Sequence, residues 1–246
     1  ATKNLAFGVL AGLLIPPLAD VMRPALAPAI FISLVLALLR LDFSDIIGQM
    51  RRPVLLILFT IFALVLSPII MMGVVEGLSL PGGLAAGLVL MAASAPIMSA
   101  PTFALILGLD AAFAIAVVVL NHILLPFTLP VMALWLLDLE LQISLLEFTG
   151  RLAFMIGGGF AVAITIKRQK LLSALLLRHA SQIDGLMVSC LVVIAISIMA
   201  GVTEFFLARP AYVLLIVATA FLANAGLQLV GALIFLPAGR QVAFTA

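Results

Sequence analysis

Residues Met91–Pro130 read MAASAPIMSAPTFALILGLDAAFAIAVVVLNHILLPFTLP. No charged residue lies between Gly77 and Leu109, and none between Ala111 and Leu137; the acid Asp110 separates the two runs. Each run is long enough to cross a bilayer, for which about 20 apolar residues suffice. The first is interrupted at its centre by Pro96 and Pro101, set among Ala, Ser and Met. A proline removes a backbone donor and clashes with the preceding turn. Two of them one turn apart predict a broken helix. Unwound backbone at membrane depth survives only when buried in protein or lining a polar cavity. Paired half-helices of this kind are a common binding device of secondary transporters. A kinked helix without a ligand is the plainer alternative.

Working outward, the whole chain shares this character. Its 246 residues are 66% hydrophobic and 9% charged, with a mean hydropathy of +1.42. Ordinary soluble domains carry about 25% charge, so the composition specifies a polytopic helical membrane protein. A β-barrel would show short alternating segments instead. The pI near 9.1 reflects a net charge of +2, and the basic residues serve topology, not nucleic acid. Cys190 is the single cysteine, which excludes an intramolecular disulfide and a cysteine metal site.

Eight apolar segments follow from the charges and prolines: Leu5–Ala19, Ala25–Leu39, Pro53–Val75, Leu84–Leu109, Ala111–Leu137, Leu152–Ile166, Gly185–Val202 and Ala211–Leu236. Gly157–Gly159 in the sixth permits close helix approach. Lys167–His179 reads as a basic connector along the interface, and Asp138–Glu147 as an acidic loop. With a cytoplasmic N-terminus, Lys3, Arg40, Arg51, Arg52, Lys167, Arg168, Lys170, Arg178 and Arg240 fall inside and only Arg23, Arg151 and Arg209 outside. That asymmetry satisfies the positive-inside rule.

Segments one to five form one unit, so a second copy starting at segment six inserts upside down. This is the inverted-repeat plan of many transporters. The expected organisation is a first transmembrane repeat over 1–138, with helix four broken at Pro96–Pro101. An incomplete second repeat over 149–246 holds three helices and the start of a fourth. The chain opens on Ala1, and Pro237–Gly239–Arg240 starts an element that it does not finish, so the sequence reads as an excerpt of a longer protein.

Three features together resemble the bile acid:sodium symporter family and its bacterial homologues. They are Leu38-Leu-Arg-Leu-Asp42-Phe43 closing segment two, the broken fourth helix with Pro96, and Asp110-Ala-Ala-Phe-Ala-Ile-Ala-Val running on to Pro126 and Pro130. The resemblance covers the chain in segment order, and 91–130 carries most of it. It implies two inverted five-helix repeats with helices four and nine broken and crossing at mid-membrane. It also implies an organic-anion substrate, Na⁺ as the coupling ion, and a bacterial inner (plasma) membrane location. By that comparison the present sequence stops near the start of helix nine.

The family's sodium positions can be placed residue by residue. A Ser-Asn pair opening the second half of helix four falls on Pro101 and Thr102. A Ser and a Thr of helix five fall on Ala114 and Val118, and a Gln of helix three falls near Ala63. Thr102 alone keeps a side-chain oxygen. Sodium, a hard cation, needs a cage of oxygens. Thr102 therefore remains a lone metal-ligand candidate, and sodium coupling is not expected to carry over.

Other residues could carry chemistry. Asn121 and His122 lie inside segment five, where polar side chains are functional candidates by default. His122 is a proton-relay candidate, because histidine titrates near neutrality; a bond to helix backbone is its bland alternative. Ser94, Ser99 and Thr102 flank Pro96 and Pro101 and could offer hydroxyls to a substrate, or bond back to their own helix. The free N–H groups opening the second half-helix favour an anion. Asn224 and Gln228 lie four apart on one helix face, facing either the crossing region or a neighbouring helix. Trp135 and Tyr212 sit near segment ends, as interfacial aromatics do.

The residues and the resemblance thus predict a secondary transporter of a small organic anion working by alternating access, with sodium coupling not carried over, His122 as the proton-relay candidate and no cofactor. A non-transporting sensor or assembly module on the same scaffold is the alternative. An intramembrane enzyme would need a nucleophile or metal constellation, and His122 and His179 are the only histidines, in different regions.

Overall fold

A computed structural model of the chain describes residues 2–40, 53–96, 100–137, 144–169, 178–239 and 243. The described residues are helical, with no strand among them. Among the described residues, five helices are long and apolar enough to cross a membrane: Pro16–Leu39, Pro53–Gly77, Ala111–Leu137, Leu145–Arg168 and Pro210–Ala238. A sixth span arises if Ser181–Ser197 and Val202–Ala208, bent by 40°, are taken as one. The chain is an integral membrane protein of the helical type. Its exposed Leu, Ile, Val and Phe side chains suit a lipid solvent, in which backbone groups are satisfied within each helix.

The chain forms two compact units, each built from two stretches of sequence. The first comprises Ala1–Leu41 and Met155–Leu215. It begins with α1 (Thr2–Leu14). Next come α2 (Pro16–Met22), a 3₁₀ turn (Arg23–Ala25) and α3 (Leu26–Arg40), which run on as one span. The segments Leu5–Ala19 and Ala25–Leu39 put a boundary at 20–24, but the break falls at Ile15. Pro16 and Pro17 start α2, where a missing N–H costs nothing, and the 3₁₀ turn absorbs Pro24. This unit also holds the later part of α9 (Leu145–Arg168), then α10 (Ala180–Ser197) and α11 (Val202–Ala208). It ends on the first residues of α12 (Pro210–Phe235).

Small residues set the packing here. A Cβ on Gly12 would lie 2.8 Å from the Ile196 carbonyl oxygen and 2.9 Å from Met199 Cβ, so α1 meets α10 at backbone distance, as small residues allow in membranes. Thr203 Oγ1 donates to the Leu13 carbonyl at 2.6 Å. Ser197 Oγ lies 2.8 Å from the Met22 carbonyl and 2.7 Å from that of Val193, sharing its one proton between them. On α9, the glycine run works as expected at one residue above all: a Cβ on Gly159 would meet Leu34 Cδ2 at 2.8 Å.

The second unit comprises Asp42–Phe154 and Ile216–Ala246. Its first span is α4 (Pro53–Ile61), a π-helical turn (Phe62–Leu66) and α5 (Ser67–Gly77). The Ser67 N–H reaches the Phe62 carbonyl, the wider π spacing. Pro68, fully buried in the next turn, has no N–H to give to Leu64, so the ladder there is already interrupted. Then come α6 (Gly82–Ala92), α7 (Ala100–Ile106) and α8 (Ala111–Leu137). Asp110, between the two apolar runs, caps α8: its Oδ1 accepts the Phe113 N–H at 2.9 Å. Such a cap satisfies one of the donors orphaned at a helix start.

α9 starts at Leu145, earlier than the expected Leu152, because Ser144 Oγ accepts the Glu147 N–H at 3.1 Å. Glu147, predicted in an acidic loop, thus lies in the first helical turn and pairs with Arg151 at 2.6 Å on an exposed face. The core of the second unit is aromatic. Phe59 stacks on Phe235 with ring centroids 3.7 Å apart and meets Phe113 edge-on at 5.0 Å. Phe62, Leu56, Ala116, Val117 and Ala243 complete the cluster.

Candidate functional site

The broken helix is present in the second unit. α6 ends at Ala92, residues 93–96 leave the helix, and α7 begins at Ala100. Pro101 is buried in the first turn of α7, where its missing N–H is tolerated. The interruption therefore precedes Pro101 and includes Pro96. Ser99 lies outside the described residues, as does the side chain of Thr102.

Against this break lies a cavity of about 460 Å³, within the range of small-molecule sites. Ser94, Ala95, Pro96 and Ala100 form its wall at the break. Phe59, Phe62, Ala63 and Ser67 bring the π-helical turn to it; α8 contributes Ala114, Val117 and Val118, and α12 contributes Asn224, Leu227 and Gln228. Single π turns inside α-helices recur at functional sites, and here the turn carries Phe62 and Ala63 on the cavity wall.

Four of the nine residues singled out by sequence line the cavity, and Pro101 is not among its lining residues. Ser94 and Pro96 line the cavity, although the Ser94 hydroxyl donates to its own helix at the Leu90 carbonyl, 2.8 Å away. Asn224 and Gln228 also line it, and Gln228 Nε2 donates to Asn224 Oδ1 at 3.0 Å. Ala63, Ala114 and Val118, the positions matched to sodium ligands in the resembling family, face this space with hydrocarbon.

Asn121 does not line the cavity, but it is 0% exposed and neither of its side-chain polar atoms finds a hydrogen-bond partner among the described residues. It follows Ala114, Val117 and Val118 at helical spacing, one turn further along the same stripe of α8. His122 is half-buried, and its Nδ1 lies 2.8 Å from the Val118 carbonyl. A carbonyl only accepts, so Nδ1 carries the proton and Nε2 is the remaining ring nitrogen.

Sequence reasoning passed over Phe59, Phe62 and Ser67. The available signal was Ser67–Pro68 inside segment three: a proline within a span frees backbone groups and displaces the helix axis. Thr60, on the stripe Thr60–Ala63–Ser67, is buried with its hydroxyl unpartnered among the described residues. No group of three or more His, Cys, Asp or Glu suited to a metal occurs among the described residues. The second unit thus holds an uncharged cavity beside a helix break, lined by the rings of Phe59 and Phe62 and by the exposed carboxamides of Asn224 and Gln228. No protein-family model and no curated protein matches the chain.

Proposed function

We propose that this protein is a secondary active transporter of a small organic solute, working by alternating access around the broken helix α6–α7. The cavity carries this reading: it joins the helix break, the π-helical turn and the Asn224–Gln228 pair in one place, the arrangement expected where unwound backbone serves a ligand. The helix partition supports an inverted repeat. The first two segments of each half fall in one unit, and the later segments of each half fall in the other.

The resemblance to the bile acid:sodium symporters makes an organic anion the first solute class to test. It also favours a bacterial inner membrane, and the basic residues favour a cytoplasmic N-terminus. Sodium is the weaker coupling ion, because Ala63, Ala114 and Val118 offer no oxygen; His122 makes the proton the stronger one. The same missing oxygens support a second reading, a sensor or assembly module that keeps the scaffold without flux.

Uptake of a panel of labelled organic anions and uncharged organic solutes into proteoliposomes tests this, with Na⁺ or a pH gradient as the driving force. Saturable accumulation is the expected result. Absence of flux across a broad solute panel overturns the transporter in favour of the sensor.

A further inference from the structure

We infer that the cavity selects an uncharged, amphipathic ligand whose polar end pairs a hydrogen-bond donor with an acceptor, as a carboxamide does, and that Asn224 and Gln228 grip that end. The inference rests on the transport reading of the cavity and departs from the resembling family's organic anions.

The walls argue it first. The charge-free runs Gly77–Leu109 and Ala111–Leu137 include the break and all of α8. Pro210–Phe235 contains no charged residue, and Pro53–Gly77 contains only Glu76, at its far end. These four stretches hold no Lys or Arg, and His122 of α8 does not line the cavity, so no cation among the described residues faces it to neutralise a bound anion. An ion taken from water into such a site loses hydration without a countercharge.

The carboxamide pair argues the second half. Its internal bond, Gln228 Nε2 to Asn224 Oδ1 at 3.0 Å, leaves N–H groups on Asn224 and an oxygen on Gln228 one helical turn apart. Turning both amides over reverses the bond but again leaves one donor and one acceptor. A neutral group with both functions satisfies the pair; a carboxylate, which only accepts, leaves the amide oxygen facing it. Phe59, Phe62 and Leu227 on the same cavity suit an aromatic or alicyclic body.

The test uses a matched pair, labelled 2-naphthamide and 2-naphthoate, with the purified full chain in lipid nanodiscs at neutral pH. Naphthamide is expected to bind at least about tenfold more tightly, since a site built to hydrogen-bond one group rejects its unmatched analogue. Gln228→Leu and Asn224→Leu are each expected to abolish that preference while keeping the helical circular-dichroism spectrum; a variant that does not fold is replaced by Gln228→Ala or Asn224→Ala. Equal or tighter naphthoate binding, binding of neither probe, or a preference that survives both substitutions overturns the inference. Counterflow in proteoliposomes separates it from the transport reading. Preferential naphthamide binding without flux sinks transport alone, whereas naphthoate flux without amide preference sinks only the ligand class.

Discussion

Gly12 and Ile196 pack so closely that a single added carbon on Gly12 would stand 2.8 Å from the Ile196 carbonyl oxygen. The obstacle is helix backbone, which cannot turn aside. At Gly159 the same 2.8 Å separates an added Cβ from Leu34 Cδ2, the tip of a side chain with other rotamers. Gly12→Ala is therefore expected to lower stability by about 1–3 kcal/mol, the usual cost of overpacking. Gly159→Ala is expected to cost less than about 1 kcal/mol, because repacking is available and alanine is the better helix former. Thermal unfolding of both variants in the same detergent checks the order, and a larger loss at Gly159 would contradict it.

Asn121 presents the opposite case. Its carboxamide is buried with neither polar atom partnered among the described residues. Leaving such a group unsatisfied costs about 1–3 kcal/mol. If that cost is kept for function, Asn121→Leu, nearly equal in volume, raises the unfolding temperature while solute flux falls. A fall in stability with flux unchanged would show instead that Asn121 serves as helix glue.

The sodium positions give a third test. Ala114 and Val118 lie on the cavity wall without oxygens. Flux through the native chain is expected to be unchanged when Na⁺ is replaced by choline. Ala114→Ser combined with Val118→Thr adds two hydroxyls at the cavity wall that begin to rebuild an oxygen cage. This double variant is expected to show a sodium dependence that the native chain lacks. Sodium-dependent flux in the native chain would overturn the argument that these positions cannot hold the ion.

Much of the fold is legible from charge and proline alone. Ala111–Leu137 begins and ends where its charge-free run does, because in lipid an uninterrupted apolar run has helix as its only open form. The break after Ala92 follows from Pro96, which lacks a backbone N–H and clashes with the preceding turn. Boundaries drifted where a local device overrode the pattern. Ser144 and Glu147 carry the S-x-x-E spacing of a capping box and pull α9 back to Leu145. Tandem Pro16–Pro17 starts a helix that the charges of Asp20 and Arg23 seemed to end. Of the site, Ser94, Pro96, Asn224 and Gln228 were readable because polar or helix-breaking residues are conspicuous in an apolar chain. Phe59 and Phe62 were not, since in a membrane span an aromatic residue facing a cavity looks the same as one facing a neighbour or lipid.

His122 supplies the last prediction. With Nδ1 donating to Val118, only Nε2 can take up a proton, and doing so places a charge within a span that otherwise has none from Ala111 to Leu137. A charge there is costly unless it is transient or paired, which is the behaviour a coupling group needs: it loads and unloads as the site changes sides. His122→Gln keeps a polar side chain of similar reach but cannot carry the proton. Accumulation driven by an inward proton gradient is therefore expected to vanish in the variant, while exchange of labelled for unlabelled solute at equal pH persists, because exchange needs the cavity and not the driving ion. Gradient-driven accumulation that survives His122→Gln would place the coupling elsewhere. Loss of exchange and accumulation together would make His122 part of the solute path itself.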